Sequence, residues 1–237
     1  MSSSPDAPAP LKTPLHALHL ALGARMAPFA GYDMPIQYPT GVLAEHLHTR
    51  SHAGLFDVSH MGQGILSGPN AAARLETLVP GDLAALAQGR IRYTQFLNAS
   101  GGILDDLMVT RLPPAPNGDE RLFLVVNAAC KTQDFARLRT ALPELKLEVM
   151  EDRALLALQG PQAAAVLATL APGFADMPFM SLREGRFGAT PLTVTRSGYT
   201  GEDGYEISLP ASEAEAFAKA LLAHPQVLPI GLGARDS

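Results

Sequence analysis

Apolar positions along the chain switch irregularly between a helical period and the alternation of a β-strand. Helical spacing predicts helices over residues 40–53, 70–78, 131–142, 161–170 and 212–222. Alternating or short apolar runs predict strands over residues 90–97, 103–112, 122–127, 145–150, 155–159, 191–196 and 205–209. Gly54 is expected to end the first of these helices, and Ser212 with Glu215 reads as a capping box for the last.

Two of the gaps between predicted strands have the composition of hairpin loops. Residues 98–102 read Asn-Ala-Ser-Gly-Gly, and residues 197–204 contain three glycines. Strands joined by hairpins, with helices between the groups, predict an α+β protein with antiparallel sheets flanked by helices.

Composition narrows the class of protein. Of the 237 residues, 47% are hydrophobic and 17% are charged, as in ordinary globular proteins. The net charge of -5 argues against nucleic-acid binding, and no apolar run is long enough to cross a membrane. Residues 1–10 are expected to be a disordered lead-in. Because they have neither the apolar core of a secretion signal nor the arginines of an organellar presequence, we expect a cytoplasmic protein.

Asp105 and Asp106 stand inside an apolar strand and are the first candidates for chemistry. Successive strand side chains point to opposite faces, so we expect the two carboxylates not to share a site. With apolar residues on both faces, at least one carboxylate should be partly buried, which suits it to proton transfer or ligand binding. An exposed pair at the end of the hairpin is the open alternative.

Histidine, cysteine and glycine offer weaker signals. His48 and His52 are one helical turn apart, but no third ligand follows at a fixed offset, so we expect no metal. Cys130, the single cysteine, is read as a buried thiol. In the loop at 197–206, the glycines could admit a flat ligand against which tyrosines stack, or the segment could be an ordinary long hairpin loop.

Several motifs, taken in order, resemble the aminomethyltransferase of the glycine cleavage system, the T-protein family. They include Gly-Leu-Phe-Asp-Val-Ser-His-Met-Gly at 54–62, Gly-Gly-Ile-Leu-Asp-Asp-Leu at 101–107, Leu-Gln-Gly-Pro at 158–161, Ser-Gly-Tyr-Thr-Gly-Glu at 197–202 and Gly-Leu-Gly-Ala-Arg-Asp at 231–236. The resemblance covers nearly the whole chain.

The resemblance implies a folate-binding aminomethyltransferase fold with two interleaved mixed domains. We expect a first domain split into residues 11–60 and 145–237, and a second, inserted domain at 61–144. Members of this family continue into a C-terminal β-barrel-like domain. We expect that domain to be absent here, because the chain stops one residue after the motif that ends in Arg-Asp.

The resemblance also implies a reaction and its residues. Family members take the aminomethyl group from the lipoylated H-protein and pass the one-carbon unit to tetrahydrofolate, used as a co-substrate, with release of ammonia. Asp106 matches the catalytic aspartate, and the adjacent Asp105 is the fallback candidate for the same role. The positions that match the folate pocket are Met61, Tyr93, Val126, Asn127, Tyr199, Glu206 and Arg235. A non-catalytic folate-binding or accessory protein is the alternative.

Overall fold

Two β-sheets form the framework of the protein, and most helices cover their outer faces. The structure is a computed structural model that describes residues 9–237. Its strands are β1 Arg25–Phe29, β2 Tyr32–Gln37, β3 Ala53–Asp57, β4 Gly62–Gly68, β5 Ile91–Leu97, β6 Ile103–Leu112, β7 Glu120–Val126, β8 Lys146–Val149, β9 Arg153–Gln159, β10 Ser181–Phe187, β11 Thr190–Arg196, β12 Gly204–Pro210 and β13 Val227–Pro229. Its α-helices are α1 His16–Ala21, α2 Val42–Ser51, α3 Ala71–Leu75, α4 Lys131–Ala141, α5 Ala163–Leu170, α6 Ala214–Leu222 and α7 Leu232–Arg235.

The strand order shows how the chain moves between the sheets. One sheet has the order β10-β11-β12-β9-β3-β13, and the other has the order β5-β6-β7-β4-β8. The strand pairs are antiparallel except for β13, which runs parallel to β3. β1 and β2 form a separate hairpin. The chain therefore leaves the six-stranded sheet after β3, builds the five-stranded sheet, and returns at β9.

Three apolar clusters define the layers. Alternate residues of β9 face opposite ways: Leu156 packs with α5 and α6, whereas Leu155 packs toward Phe123 of the other sheet. The outer face of the five-stranded sheet packs on α3 and α4, for example through Leu107 and Phe135. β9 reads as a continuous apolar run because both of its faces are buried.

The predicted α+β class and both predicted hairpins are confirmed. β5 pairs with β6 around residues 98–102, and β11 pairs with β12 around the glycine-rich loop. β6 has the predicted bounds of 103–112.

Two local predictions were wrong. The first helix ends at Ser51, and Gly54 lies inside β3, where a side chain would collide with Ile230. No capping box forms at Ser212, because a short 3₁₀ turn over Ala211–Glu213 precedes α6 and no side chain caps that helix. Six strands were also not predicted, namely β1, β2, β3, β4, β10 and β13.

The strand pairing also shows how far the five-stranded sheet extends beyond the expected domain boundary at residue 144. Strand β8, which lies at 146–149, pairs with β4 at the edge of the five-stranded sheet, so the sheet formed mainly by residues 62–126 extends to residue 149. Of the expected lead-in at 1–10, residues 1–8 lie outside the described part of the chain. In the part that is described, no helix has the length and apolar character needed to span a bilayer.

Candidate functional site

A cavity of about 250 Å³ opens between the two sheets, beside the middle of β5 and β6, the end of β7 and the first residues of β4 and β12. It brings together seven of the nine side chains proposed from the sequence. The lining residues are Met61, Tyr93, Asp106, Leu107, Met108, Val125, Asn127, Tyr199, Glu206 and Arg235. The two absent from this lining are Asp105 and Val126.

Val126 is fully buried in the core between the five-stranded sheet and its helices, so its side chain points away from the cavity. Its neighbour Val125 provides the apolar surface instead, as strand alternation requires. A role for Val126 through its backbone stays a prediction.

Asp106 is held by side chains from both neighbouring strands. The Tyr93 hydroxyl on β5 donates to Asp106 Oδ2 at 2.7 Å. The Asn127 side-chain amide, directly after β7, donates to Asp106 Oδ1. Both carboxylate oxygens are therefore engaged, and the hydrogen bond to Asp106 raises the pKa of the Tyr93 phenol above its ordinary value. The carboxylate has a fixed orientation before any ligand arrives.

Asp105 lies on the opposite face of β6, with Leu107 and Val109, toward α4. Both aspartates are partly buried, as expected. The expectation that they could share no site was wrong in one respect. Asn127 Nδ2 is 3.0 Å from Asp105 Oδ1 and also reaches Asp106, because Asn127 stands past the end of β7 and contacts both faces.

Glu206 supplies the second carboxylate of the cavity, from the six-stranded sheet. Its side chain is almost fully buried, and burial raises its pKa to about 7, against smaller lowering effects of Arg235 and Tyr199. The Tyr199 hydroxyl lies 3.5 Å from Glu206 Oε2. Asp106 and Glu206 thus approach one cavity from different sheets.

The loop that carries Tyr199 is tightly packed. Arg196 makes two hydrogen bonds to Asp203, at 3.0 and 2.6 Å, across the base of the loop. The Tyr199 amide donates to Gln159 Oε1 at 3.0 Å. These contacts fix the position of the Tyr199 ring beside Glu206.

The glycines of this loop serve its own packing. Side chains at Gly198, Gly201 and Gly204 would meet, respectively, the backbone of Glu202, the guanidinium of Arg50 and the amide of Gln159. The space beside these glycines is therefore filled by protein. This favours the interpretation of the segment as an ordinary hairpin loop rather than one whose glycines admit a ligand. Tyr199 is the residue of this loop that faces the cavity.

Arg235 lies on α7 and borders two further cavities besides the one described, including one of about 570 Å³ that it shares with Tyr199. The segment before it is held by Glu45, which is fully buried. Glu45 Oε2 accepts from the Gly231 amide at 2.7 Å, and Oε1 accepts from the Tyr38 amide at 2.6 Å. A side chain at Gly231 would collide with the backbone of Ile36, so this segment packs directly against β2.

His48 lies in α2, and His52 directly follows that helix. His48 and His52 stack on each other with ring centroids 4.7 Å apart. Across residues 9–237, no three side chains of His, Cys, Asp or Glu come together as a metal would require.

His60 is a buried residue whose setting the sequence did not reveal. Its ring packs edge-on against Phe29, and Lys131 donates to its backbone carbonyl at 2.8 Å. Burial lowers the pKa of His60 to about 4; Asp57 opposes this effect, and Arg235 and Lys131 add to it. His60 is therefore neutral at physiological pH.

Two further residues near Asp105 were misjudged or missed. Cys130 is partly exposed just before α4, rather than buried, and burial together with the charge of Asp105 raises the pKa of its thiol. That environment disfavours a nucleophilic thiolate. Asp134, on the first turn of α4, is buried and was not singled out from the sequence.

The fold and the site define an α+β protein with a cavity between two stacked sheets, approached by a carboxylate from each. Residues 15–237 match the family model described as the GCVT N-terminal domain, and the chain belongs to this family.

Named relatives are aminomethyltransferases. The chain is 45% identical to the mitochondrial aminomethyltransferase of Homo sapiens, over 95% of this chain and 57% of the relative. It is 41% identical to that of Dictyostelium discoideum, over 95% of this chain and 59% of the relative. The chain thus spans about three fifths of the length of these relatives.

A solved structure has the same fold as this chain. The crystal structure of glycine cleavage system aminomethyltransferase T from Bartonella henselae superimposes with a TM-score of 0.87 at 47% identity, covering 95% of this chain and 61% of that one. The expected fold, two interleaved parts with sheets flanked by helices, is therefore confirmed.

Proposed function

We propose that this chain binds tetrahydrofolate between its two sheets and takes part in aminomethyl transfer from the lipoylated H-protein of the glycine cleavage system. One observation carries the proposal: Asp106 and Glu206 reach a single cavity from separate sheets, with aromatic side chains between them. The names of the relatives support the same reaction.

Glu206 is the proposed binding group for the pterin. A reduced pterin presents a ring N–H and an exocyclic amine side by side, and one carboxylate can accept a hydrogen bond from each. Such a pair of donors satisfies a buried carboxylate that is otherwise costly to ionise. Tyr199, Tyr93 and Met61 supply the flat and apolar surface for the rings.

Asp106 is the proposed catalytic group. In the transfer, the folate nitrogens form two bonds to the one-carbon unit, while its bonds to nitrogen and to the lipoyl sulfur break. The two protons lost by folate leave with ammonia and the thiol. A carboxylate that accepts a proton from a weakly nucleophilic folate nitrogen, and returns it to a leaving group, lowers the barrier to both steps. The hydrogen bonds from Tyr93 and Asn127 hold Asp106 in place for this role.

Arg235 is the proposed partner of the negative tail of folate. It borders the cavity and the larger space beside it, so a ligand that extends from one into the other passes its guanidinium. A cytoplasmic location and a role for the backbone at Val126 belong to the same proposal.

Calorimetry with tetrahydrofolate tests binding, and a transfer assay with aminomethylated H-protein tests the reaction. The sharpest comparison is Glu206→Gln against Glu213→Gln, since Glu213 is an exposed glutamate at the start of α6. We expect the first variant to lose folate affinity and the second to keep it. Binding without transfer would favour the alternative of a folate-binding accessory protein. Absence of binding in the unaltered chain would contradict the proposal.

A further inference from the structure

Asp134 is a buried carboxyl group next to the proposed catalytic site but outside its cavity. It lies on the first turn of α4, with 3% of its surface exposed. It faces Asp105, which lies on the helix side of β6. Asp105 contributes both a side-chain hydrogen bond and its charge to the raised pKa of the Asp134 carboxyl group.

The free oxygens of this pair indicate a shared proton. Oδ2 of Asp105 and Oδ2 of Asp134 are both buried, and neither has a donor at hydrogen-bond distance within residues 9–237. Two ionised carboxylates in contact repel each other, and burial makes that arrangement more costly still. A single proton between them removes one charge and gives one oxygen a donor.

The charged neighbours do not replace that proton. Arg137 of α4 lowers the pKa of Asp134, but burial and Asp105 outweigh it and raise that pKa to about 7. Asp106 adds a smaller effect in the same direction. Before α4, the thiol of Cys130 stays protonated, since its own pKa is raised.

Asp105 connects this pair to the cavity. Its other oxygen, Oδ1, accepts from the Asn127 amide at 3.0 Å, and the same amide donates to Asp106 Oδ1. Hydrogen bonds therefore link Asp105 through Asn127 to Asp106.

We propose that Asp134 and Asp105 share one proton, which Asp134 donates to Asp105, so that Asp105 holds the Asn127 amide where it orients Asp106. Asp134 is thus a positioning residue, and its part in the transfer reaction rests on the function proposed above. When Asp134 loses its proton, Asp105 and Asp134 repel each other, Asn127 loses its fixed partner, and Asp106 is less well placed.

The first test uses the chain without any ligand. The side-chain amide signals of Asn127, followed by ¹H–¹⁵N NMR against pH, should shift with a midpoint near 7. In Asp134→Asn this shift should vanish, because an amide donates to Asp105 at every pH. A midpoint near 4, or the same titration in wild type and variant, would overturn the proposal. Because no folate is involved, this result stands even if the proposed function fails.

The second test uses transfer at saturating folate. We expect the kcat of the wild type to decline above pH 7. Asp134→Asn should keep most of that kcat and show no such decline. Asp134→Ala, which cannot donate, should bind folate normally and lose about tenfold to a hundredfold in kcat. A merely structural role would affect both variants equally and leave the pH profile unchanged. An equal kcat in both variants, with an unchanged dependence of kcat on pH, would overturn the positioning role. Thermal unfolding followed by circular dichroism checks that each variant is folded.

Discussion

Tyr93 and Asp106 are joined across neighbouring strands by a hydrogen bond of 2.7 Å, with the phenol as donor. Half of the Tyr93 surface is exposed, whereas the carboxylate that it contacts is partly buried. The second oxygen of Asp106 is occupied by Asn127. A ligand in the cavity therefore meets a carboxylate whose orientation is already set by its neighbours.

Asp106→Asn is expected to bind tetrahydrofolate with nearly unchanged affinity but to lose transfer by about 10²–10⁴-fold, the range typical of a removed acid–base group. The amide keeps the shape of the carboxylate and cannot accept the proton. Calorimetry and a single-turnover transfer assay measure the two effects separately.

Asp152→Asn is the matched control, because Asp152 is an exposed aspartate that lies outside the lining of the cavity. It should behave as the wild type. Full turnover in Asp106→Asn would contradict the catalytic assignment, and a larger loss in Asp105→Asn would transfer the role to the fallback residue.

The phenol of Tyr93 offers a spectroscopic check on the same contact. Its pKa is raised because the phenol donates to Asp106. Removing the negative charge in Asp106→Asn should therefore lower that pKa toward the ordinary value. An ultraviolet titration of the two proteins, with Tyr93→Phe to identify the signal, measures the change. An unchanged titration would show that the hydrogen bond is absent in solution.

Folate binding should depend on pH through Glu206. Its pKa is raised to about 7 by burial, so the free protein carries a proton on this carboxyl group below that pH. Because two pterin donors require the ionised form, binding expels the proton. Each pH unit below 7 should weaken affinity by up to about tenfold, and affinity should level off above 8.

Calorimetry in buffers of different ionisation enthalpy measures the released proton directly at pH 6. Glu206→Gln should release no proton at this site, and Glu213→Gln should match the wild type. The proposed role of Glu206 would be wrong if the wild type bound folate without proton release at pH 6.

Glu45 should be important for stability. Glu45→Ala removes the acceptor for two backbone amides, those of Tyr38 and Gly231. Unsatisfied buried donors cost about 1–3 kcal/mol each, so we expect the free energy of unfolding to fall by roughly 2–4 kcal/mol. Urea denaturation measures it, and the same change at exposed Glu213 should have little effect. A loss below about 0.5 kcal/mol would show that water replaces the carboxylate.

The sequence predicted elements best where local signals agree. β6 has its predicted bounds because a glycine-containing turn precedes a mostly apolar run and two prolines follow it. β10 was missed because this edge strand is largely polar and has no such run. Gly54 was read as the end of a helix, yet glycine is required there by the close approach of Ile230, a residue far away in the chain.

Contacts between residues far apart in the chain also limit what the sequence predicts about the site. The sequence placed Asp106 on a strand, but the meeting of Asp106 and Glu206 depends on how two sheets stack, which no local spacing encodes. The resemblance supplied that pairing. Asp134 was missed because a lone aspartate in the first turn of a helix usually faces water.

The position of β3 between β9 and β13 has a consequence for folding kinetics. β3 at 53–57 pairs with residues 156–159 and 227–229, so its partners leave the ribosome long after it does. Pairings of such large sequence separation form slowly, because a long loop must close first. The local β5–β6 hairpin can form early, while the edges of β3 stay unpaired until β9 and β13 have been synthesised. During synthesis, β3 is therefore a segment at which a chaperone would reduce aggregation.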